Sequence, residues 1–454
     1  MSTLKHLLAI PAALALAVGC VSAAPPPLAD PAPAARAAAV NAVVDWNRTA
    51  ARAALAGCLA PVNDPLHESR MYTMVHVAVH DALNSIRRYA EPYVYEQRTN
   101  GKASPEAAVA AASRTVMVEI FRNQHPKALA SCSKPALEVV RKAYAKALRE
   151  IPNGPLERAG LRIGRAAAAA VINDRDDDGS ADGPYADPNY PQGKRPGEYR
   201  FTEGYKFYFE PNWGEVDTFV LRDASNYRPD PPYRLSGRKY AADFNEVKAY
   251  GKKKSTVRTP DQTQIARFWV ESSPLAWNRV ARTVASQEDV GLWHSARLFG
   301  LLNLALADGY ISVFDAKRHF NFWRPETAIR LAARDGNTRT TADRTWDSLL
   351  PAPPIADHDS GHSVEGGAAA GVLKRFFETD KLKFKACSMT LVKGKCTDKD
   401  PTMRTYRGFT HAAQENGVSR IYVGFHFRNA VREGIEHGDK IARRTMEFLE
   451  PYDR

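Results

Sequence analysis

Asp357 to Phe377 reads "DHDSGHSVEGGAAAGVLKRFF". Its second part, "SVEGGAAAGVLKRFF", is a helix pattern rich in small residues that let a neighbouring helix come close. Ser360 and Gly361 therefore fall at a helix N-terminus. Free backbone N–H groups and the positive end of the helix dipole make such a place an anion site. Gly361 permits close backbone approach, Ser360 adds a hydroxyl, and His362 can give or take a proton near neutral pH. Three other readings use the same residues. Asp359 or Ser360 could be a plain N-cap. His358 and His362, four apart, could hold a divalent metal with Asp359, but the Ser-Gly between them disfavours a continuous helix. Ser360 could be a nucleophile, yet no G-x-S-x-G elbow surrounds it.

Outward from this stretch, helical spacing dominates. "AVNAVVDWNRTAARAAL" and "SRMYTMVHVAVHDALNSI" repeat apolar residues with helical period. "SPEAAVAAASRTVMVEIF" opens with Ser104 followed by Pro105 in the first turn. Further helices are predicted at 134–149 and 155–173, and again from about 236 to the end, with loops near 251–259, 333–357 and 385–403. Residues 174–237, rich in Asp, Gly, Pro and Tyr, read as a long irregular crossing. Asp174, Asp176, Asp178 and Gly179 begin like a calcium loop, but Tyr185 stands where the final Glu belongs, so a solvated helix end is expected. Strand-like alternation is scarce and no internal repeat stands out by eye. The expected fold is mainly α, as packed helical bundles. The chain divides into a leader (1–23), a Pro/Ala linker (24–37), an N-terminal helical region (38–173), the crossing (174–237) and a helical catalytic region (238–454).

The leader follows from Lys5, the apolar run "LLAIPAALALAV" and the small-residue site at Val21–Ala23. It predicts export to the periplasm or beyond. Acylation of Cys20 is the second reading. Four cysteines then remain, and Cys387 with Cys396, bounding a short basic loop, leaves Cys58 with Cys132. No C-x-x-C pair supports zinc. Hydrophobic residues make up 44% of the chain, too few for a membrane-embedded composition, and no transmembrane span is expected. The net charge is +12, or +11 once Lys5 is removed, with basic residues scattered; small anions fit this better than nucleic acid.

Two more constellations lie in the second half. In "KRHFNFWRPETAIR", Lys317 and Arg324 are seven apart, two helical turns, so one helix would bring both to one face. Pro325 ends that helix or starts the next. In "SRIYVGFHFRNAVREG", Arg420 and His426 are six apart, and Gly424 offers a break that sets His426 at the mouth of the following helix. Each pair alone suits solvated or packed residues. Together, one Lys, two Arg, a hydroxyl, a glycine N–H and two His suit a tetrahedral oxyanion.

K-x6-R-P, S-G-H and S-R-x5-H, in that order, resemble the signature of the vanadium-dependent haloperoxidases and type-2 phosphatidic acid phosphatases. "FNFWRP", "SRIYVGFHFR", "WNRTA" and "VHVAVHDALNSI" look like soluble bacterial haloperoxidase-type members. The resemblance implies a helical-bundle fold and vanadate or phosphate bound by Lys317, Arg324, Ser360, Gly361 and Arg420. His426 would be the vanadium ligand or, in a phosphatase, the nucleophile, and His362 the acid/base. It implies small-molecule substrates: hydrogen peroxide and a halide with vanadate as cofactor, or a phosphomonoester with none. Asp359 replaces the proline usual before S-G-H. Turned inward it would weaken anion binding. Turned elsewhere it could cap the helix or orient His358 or His362. A divalent-metal hydrolase using His358, Asp359, His362 and perhaps His76 and His80, and a binding protein with a disabled pocket, are the remaining readings.

Overall fold

In the computed structural model, residues 41–391 and 402–452 are described; the leader, the linker, Cys20 and Cys396 lie outside them. Thirteen α-helices carry the fold: α1 (Ala42–Ala56), α2 (Pro65–Ile86), α3 (Pro105–Glu119), α4 (Ser133–Glu150), α5 (Pro155–Asp174), α6 (Arg238–Tyr250), α7 (Pro260–Phe268), α8 (Ser273–Gln287), α9 (Leu292–Phe320), α10 (Pro325–Leu331), α11 (Gly361–Phe376), α12 (Phe409–Tyr422) and α13 (Arg428–Thr445). Proline in the first turn recurs because that position needs no N–H donor. Asp64, Ser104 and Thr259 cap α2, α3 and α7 ahead of such prolines. Among the described residues, strands are confined to two short antiparallel pairs, β1 (Ala186–Asp187) with β2 (Tyr208–Phe209) and β3 (Phe384–Ala386) with β4 (Arg404–Tyr406).

Contrary to the reading by eye, the chain contains a repeat. Helices α1, α2, α3 and α5 pack as α8, α9, α11 and α13 do. "DWNR" at Asp45–Arg48 returns as "AWNR" at Ala276–Arg279, and "HVAVHDAL" at His76–Leu83 as "NLALADGY" at Asn303–Tyr310. The closest helix contacts repeat residue by residue. On α5, a Cβ added to Gly160 would meet Ser104 O, Ala107 Cβ and Ala108 N; on α13, one added to Gly434 would meet Ser360 O, Ser363 Cβ and Val364 N. Gly164 on Ala108 O and Gly438 on Val364 O continue the match one turn on. Equivalent residues meet between the halves: Asn47 Nδ2 donates to Asn278 Oδ1 at 2.7 Å, flanked by His76 beside Asn47 and Asn303 beside Asn278. Such a contact between like residues is what a two-fold relation produces. Sequence identity between the halves is thin because only the closest approaches and the buried polar anchors are constrained.

The helix α9 is the hub. It is long and apolar enough to cross a membrane, but 94% of its apolar window is buried within the protein, where it packs on α2, α11 and α13. The crossing from 175 to 237 is fastened along it. The buried Asp308 carboxylate accepts the N–H groups of Phe219, Val220 and Leu221, at 2.6, 2.9 and 2.9 Å. Arg228 and Asp315 form a two-bond pair, and Tyr199 N–H donates to Asn321 O at 2.8 Å. Asp81 on α2 does the same for its own loop, accepting from Tyr93, Val94 and Tyr95. At the start of the crossing Asp174 and Asp176 are exposed, as expected of a solvated helix end, but Asp178 departs from that expectation. Asp178 is buried and paired with Arg70 at 2.7 Å and with Arg175 at 3.0 Å. Cys58 and Cys132 are joined, with Cα atoms 5.8 Å apart, and Cys387 is also disulfide-bonded.

Candidate functional site

Lys317 and Arg324 converge, but not as two turns of one helix. The helix α9 ends at Phe320, Asn321 takes the left-handed conformation, and Arg324 is the N-cap of α10. The break turns both side chains onto one backbone stretch. Arg324 Nε donates to Ile355 O at 2.7 Å, and Lys317 Nζ donates to Ala356 O and Asp357 O at 2.9 Å each and to Asp359 O. That stretch runs directly into Ser360, so the two cations hold the approach to α11. Both are fully buried.

Ser360 is the N-cap of α11 in position, yet its side chain caps nothing; its hydroxyl accepts from Ser363 Oγ at 2.9 Å and keeps its own proton to donate. Gly361, the first helical residue, is not crowded: the nearest atom to an added Cβ is Val313 Cγ1 at 3.9 Å, an ordinary contact distance. Its N–H is one of the helix-start donors without an intrahelical acceptor. His362 Nε2 lies 3.1 Å from Glu271 O. A carbonyl only accepts, so the ring proton sits on Nε2 and Nδ1 carries the lone pair.

Arg420 lies in the last turn of α12, Gly424 turns the chain with φ +88°, and His426 lies between α12 and α13. The Phe425 and His426 N–H groups both reach Arg420 O, at 2.9 and 3.3 Å, which ties the two functional side chains together. Arg420 NH1 donates to Trp269 O at 2.8 Å. His426 Nε2 lies 2.9 Å from Arg324 NH1 and must accept there, since a guanidinium only donates. Its Nδ1 lies 3.0 Å from Asp357 Oδ1, without the alignment of a full hydrogen bond.

The electrostatics follow from burial among cations. Burial, then Arg324, Lys317 and Arg420, hold His426 well below its ordinary value. Burial, then Arg420, Arg324 and Lys317, do the same to His362. Both rings are neutral at pH 7. Burial brings Lys317 down to about 7, with Arg324 adding to the effect, and Arg420 down to about 9. Arg324 NH2 and Arg420 Nε are buried with no partner within the protein. Unmade donors on buried guanidinium groups are costly, and an anion relieves them. The residues present fit an oxyanion: orphaned guanidinium N–H groups, a free hydroxyl proton, a glycine N–H at a helix start and an unprotonated His426 Nε2. Lys317 is the exception, because its three donors already serve backbone carbonyls.

Asp359 turns away from this pocket. Its Oδ2 lies 3.0 Å from His437 Nδ1 on α13, and His437 Nε2 meets Ser312 Oγ at 2.7 Å. Burial raises the Asp359 carboxyl, but His437 outweighs it and the group stays below its usual value. It therefore neither caps α11 nor orients His358 or His362. His358 is bound to Asp230 O at 2.8 Å and stacks edge-on to Phe320. Among the described residues, the His/Asp/Glu groups close enough to share a metal do not include His358 or His362. His76 and His80 are buried core residues, against Asn47 and Glu91 O. Phe314 and Trp323 are buried in the core as well.

Sequence reasoning passed over three residues. Asp357, in the opening stretch itself, stands against His426. Trp269 and Glu271 supply the carbonyls that hold Arg420 and His362, on a turn anchored by the buried Arg279–Glu271 pair at 2.7 Å. A carboxylate placed to orient a histidine was the available signal for Asp357. Nothing in the sequence marks a residue that contributes only its carbonyl.

Residues 297–453 match the family of the second helical-bundle domain of vanadium chloroperoxidase. The vanadium chloroperoxidase of Curvularia inaequalis is 24% identical over 468 residues, covering 81% of this chain and 75% of that protein. Among solved structures, the first bacterial vanadium-dependent iodoperoxidase superposes with a TM-score of 0.74 at 21% identity, over 91% of this chain and 97% of that one. A holo-type bacterial vanadium-dependent chloroperoxidase gives 0.64 at 18% identity, over 84% and 91%. Residues 297–453 thus carry the second helical-bundle domain of the vanadium chloroperoxidase family, and the chain shares the helical fold of the vanadium-dependent haloperoxidases along most of its length, with the three motifs gathered at one place.

Proposed function

We propose that the chain is a vanadate-dependent haloperoxidase that oxidises a halide with hydrogen peroxide. The carrying observation is the pair of buried, unpartnered guanidinium donors on Arg324 and Arg420 beside the unprotonated Nε2 of His426. Arg324, Arg420, Ser360 and Gly361 would hold the oxygens of vanadate, Lys317 would set the field and hold the backbone, and His426 Nε2 would be the protein ligand. Bound vanadate supplies peroxide activation, the chemistry no side chain here can provide.

The protein's own part is electrostatic and protonic. The cations that depress His362 and His426 are the ones an anion would neutralise, so loading the pocket restores basicity to His362 Nδ1. Oxidising a halide with peroxide to hypohalous acid and water consumes one proton. His362 is placed to pass that proton, and Asp357 to keep His426 in the tautomer with Nε2 bare. Export through residues 1–23 belongs to the same proposal, since a Cys58–Cys132 bridge suits an oxidising compartment.

The experiment compares two activities of the purified chain. Bromide or iodide oxidation that needs both vanadate and peroxide supports the proposal. Hydrolysis of p-nitrophenyl phosphate that vanadate inhibits, with no halide oxidation, would overturn it in favour of a phosphohistidine enzyme acting through His426.

A further inference from the structure

A second cluster of ligating side chains stands outside the three motifs. Asp64 caps α2, its Oδ1 accepting the His67 N–H at 3.1 Å. Its other oxygen, Oδ2, lies 2.9 Å from His67 Nδ1. Asp64 is fully buried, yet neither Oδ2 nor His67 Nδ1 makes an aligned hydrogen bond. Glu210, from the crossing, brings a third ligand atom, and all three lie within 4.8 Å of one another. The Tyr185 phenol adjoins Asp64 and Glu210, and the Trp213 ring backs the His67 ring at 4.7 Å.

Two carboxylates buried together need a cation or a proton. Arg70 acts on the cluster but is already spent on Asp178, Gln124 and the Arg175 carbonyl. A contrast decides how to read this. Glu203, Glu326 and Asp347 converge in the same way, but Arg330 sits among them and pairs with all three. That surface cluster holds its cation in the form of an arginine. Among the described residues the buried one has no lysine or arginine paired with it; its His67 imidazole, beside Asp64, can carry only one positive charge against two carboxylates.

We propose that Asp64, His67 and Glu210 form a binding site for a divalent cation of the zinc class, which ties the start of α2 to the crossing segment. One imidazole nitrogen and two carboxylate oxygens suit zinc, whereas calcium takes six or more oxygens. The 2.9 Å between Asp64 Oδ2 and His67 Nδ1 is close to the roughly 3.3 Å edge of a tetrahedron with ligands at about 2.0 Å. Water or the Tyr185 hydroxyl would complete the set.

The test uses the full chain, stripped with a chelator and titrated with Zn2+ by calorimetry and by thermal unfolding. One saturable equivalent and a rise of a few degrees in the unfolding midpoint are expected. Asp64→Asn keeps the cap oxygen, and Glu210→Gln keeps the shape; each should weaken Zn2+ on the order of a hundredfold. Glu203→Gln should change nothing. A wild-type chain with no saturable Zn2+, one that takes Ca2+ in preference, or variants with unaltered Zn2+ affinity would each overturn the proposal. Should the variants fail to fold, the wild-type titration alone decides it. A protonated Glu210 beside a closed His67–Asp64 ion pair predicts no Zn2+ effect at all.

Discussion

The start of α3 and the start of α11 are the same piece of architecture with opposite chemistry. Ser104-Pro105-Glu106 and Ser360-Gly361-His362 occupy matched positions, each pressed by a pair of glycines from the antiparallel helix. In the first, Ser104 caps the Ala107 N–H at 3.2 Å, Pro105 has no N–H, and Glu106 adds a negative charge. In the second, the serine hydroxyl proton is left unspent, a glycine N–H has no intrahelical acceptor, and a neutral histidine follows. Counting back from the matched glycines, His426 falls on Pro152 and Arg420 on Lys146. The helix quartet is therefore a packing solution used twice, and the proposed anion site corresponds to a small set of residue differences confined to one copy.

The largest effect should separate the copies outright. His426→Ala removes the proposed ligand and should cost about a thousandfold or more in turnover, with unfolding unchanged within about 1 kcal/mol. Ser104→Ala should leave turnover alone and cost about 1 kcal/mol of stability through the lost cap. His358→Ala, measured beside them, should keep most of the activity. If His358→Ala proved as damaging as His426→Ala, the pocket would be wrongly drawn.

Glycine replacements test the shared packing. A Cβ on Gly160 would sit 2.3 Å from Ser104 O, and one on Gly434 would sit 2.8 Å from Ser360 O. Both alanine variants should lose about 1–3 kcal/mol in denaturant unfolding. Only Gly434→Ala should also weaken vanadate, because it pushes on the helix start that carries Ser360 and Gly361. Equal loss of vanadate affinity in Gly160→Ala would deny that the second copy alone holds the site.

How much of this was legible depends on what each residue contributes. Helix positions followed from apolar spacing and Pro-marked starts, and came within a residue or two at α4 and α5. The seven candidate site residues are legible as three motifs because the proposed oxyanion site asks for a particular residue type at each position. The reason offered for Lys317 and Arg324 failed, however: they meet because α9 breaks at Asn321, not because seven residues make two turns. The repeat was missed because it is written in glycine contacts and in Asn47, Asn278, Asp81 and Asp308, few positions spread over long intervals. Asp359 drew attention for its place beside the motif, while the direction of its carboxylate depends on His437, 78 residues away in sequence.

A pH effect should come next in size. Lys317, brought down to about 7 by burial, is charged below that value and loses its charge as pH rises through it. Vanadate affinity should accordingly weaken from pH 6 to pH 8, by up to about tenfold, and the dependence should disappear in Lys317→Met. His426, already neutral across this range, should add no step near its ordinary value. A binding profile flat in the wild type would show that the carbonyls around Nζ keep the ammonium charged throughout.

A further contrast is a buried polar pair that the second copy has and the first lacks. Asp359, His437 and Ser312 correspond to Ala103, Ile163 and Ser85 in the first copy, where Ser85 keeps a buried hydroxyl with no partner. Asp359 is held below its ordinary value by His437, so its contribution to stability is present above about pH 4 and is lost as pH falls through the lowered folded value. Asp359→Ala alone strands His437 and should cost about 1–3 kcal/mol at pH 7. Adding His437→Ile, which imports the apolar pair of the first copy, should recover part of that loss and flatten the acid limb of the unfolding curve. Urea titrations of both variants at pH 4 and pH 7 measure this. A double variant no better than the sum of its single changes would mean that Asp359 and His437 act separately, and that the two copies differ here by more than one exchanged pair.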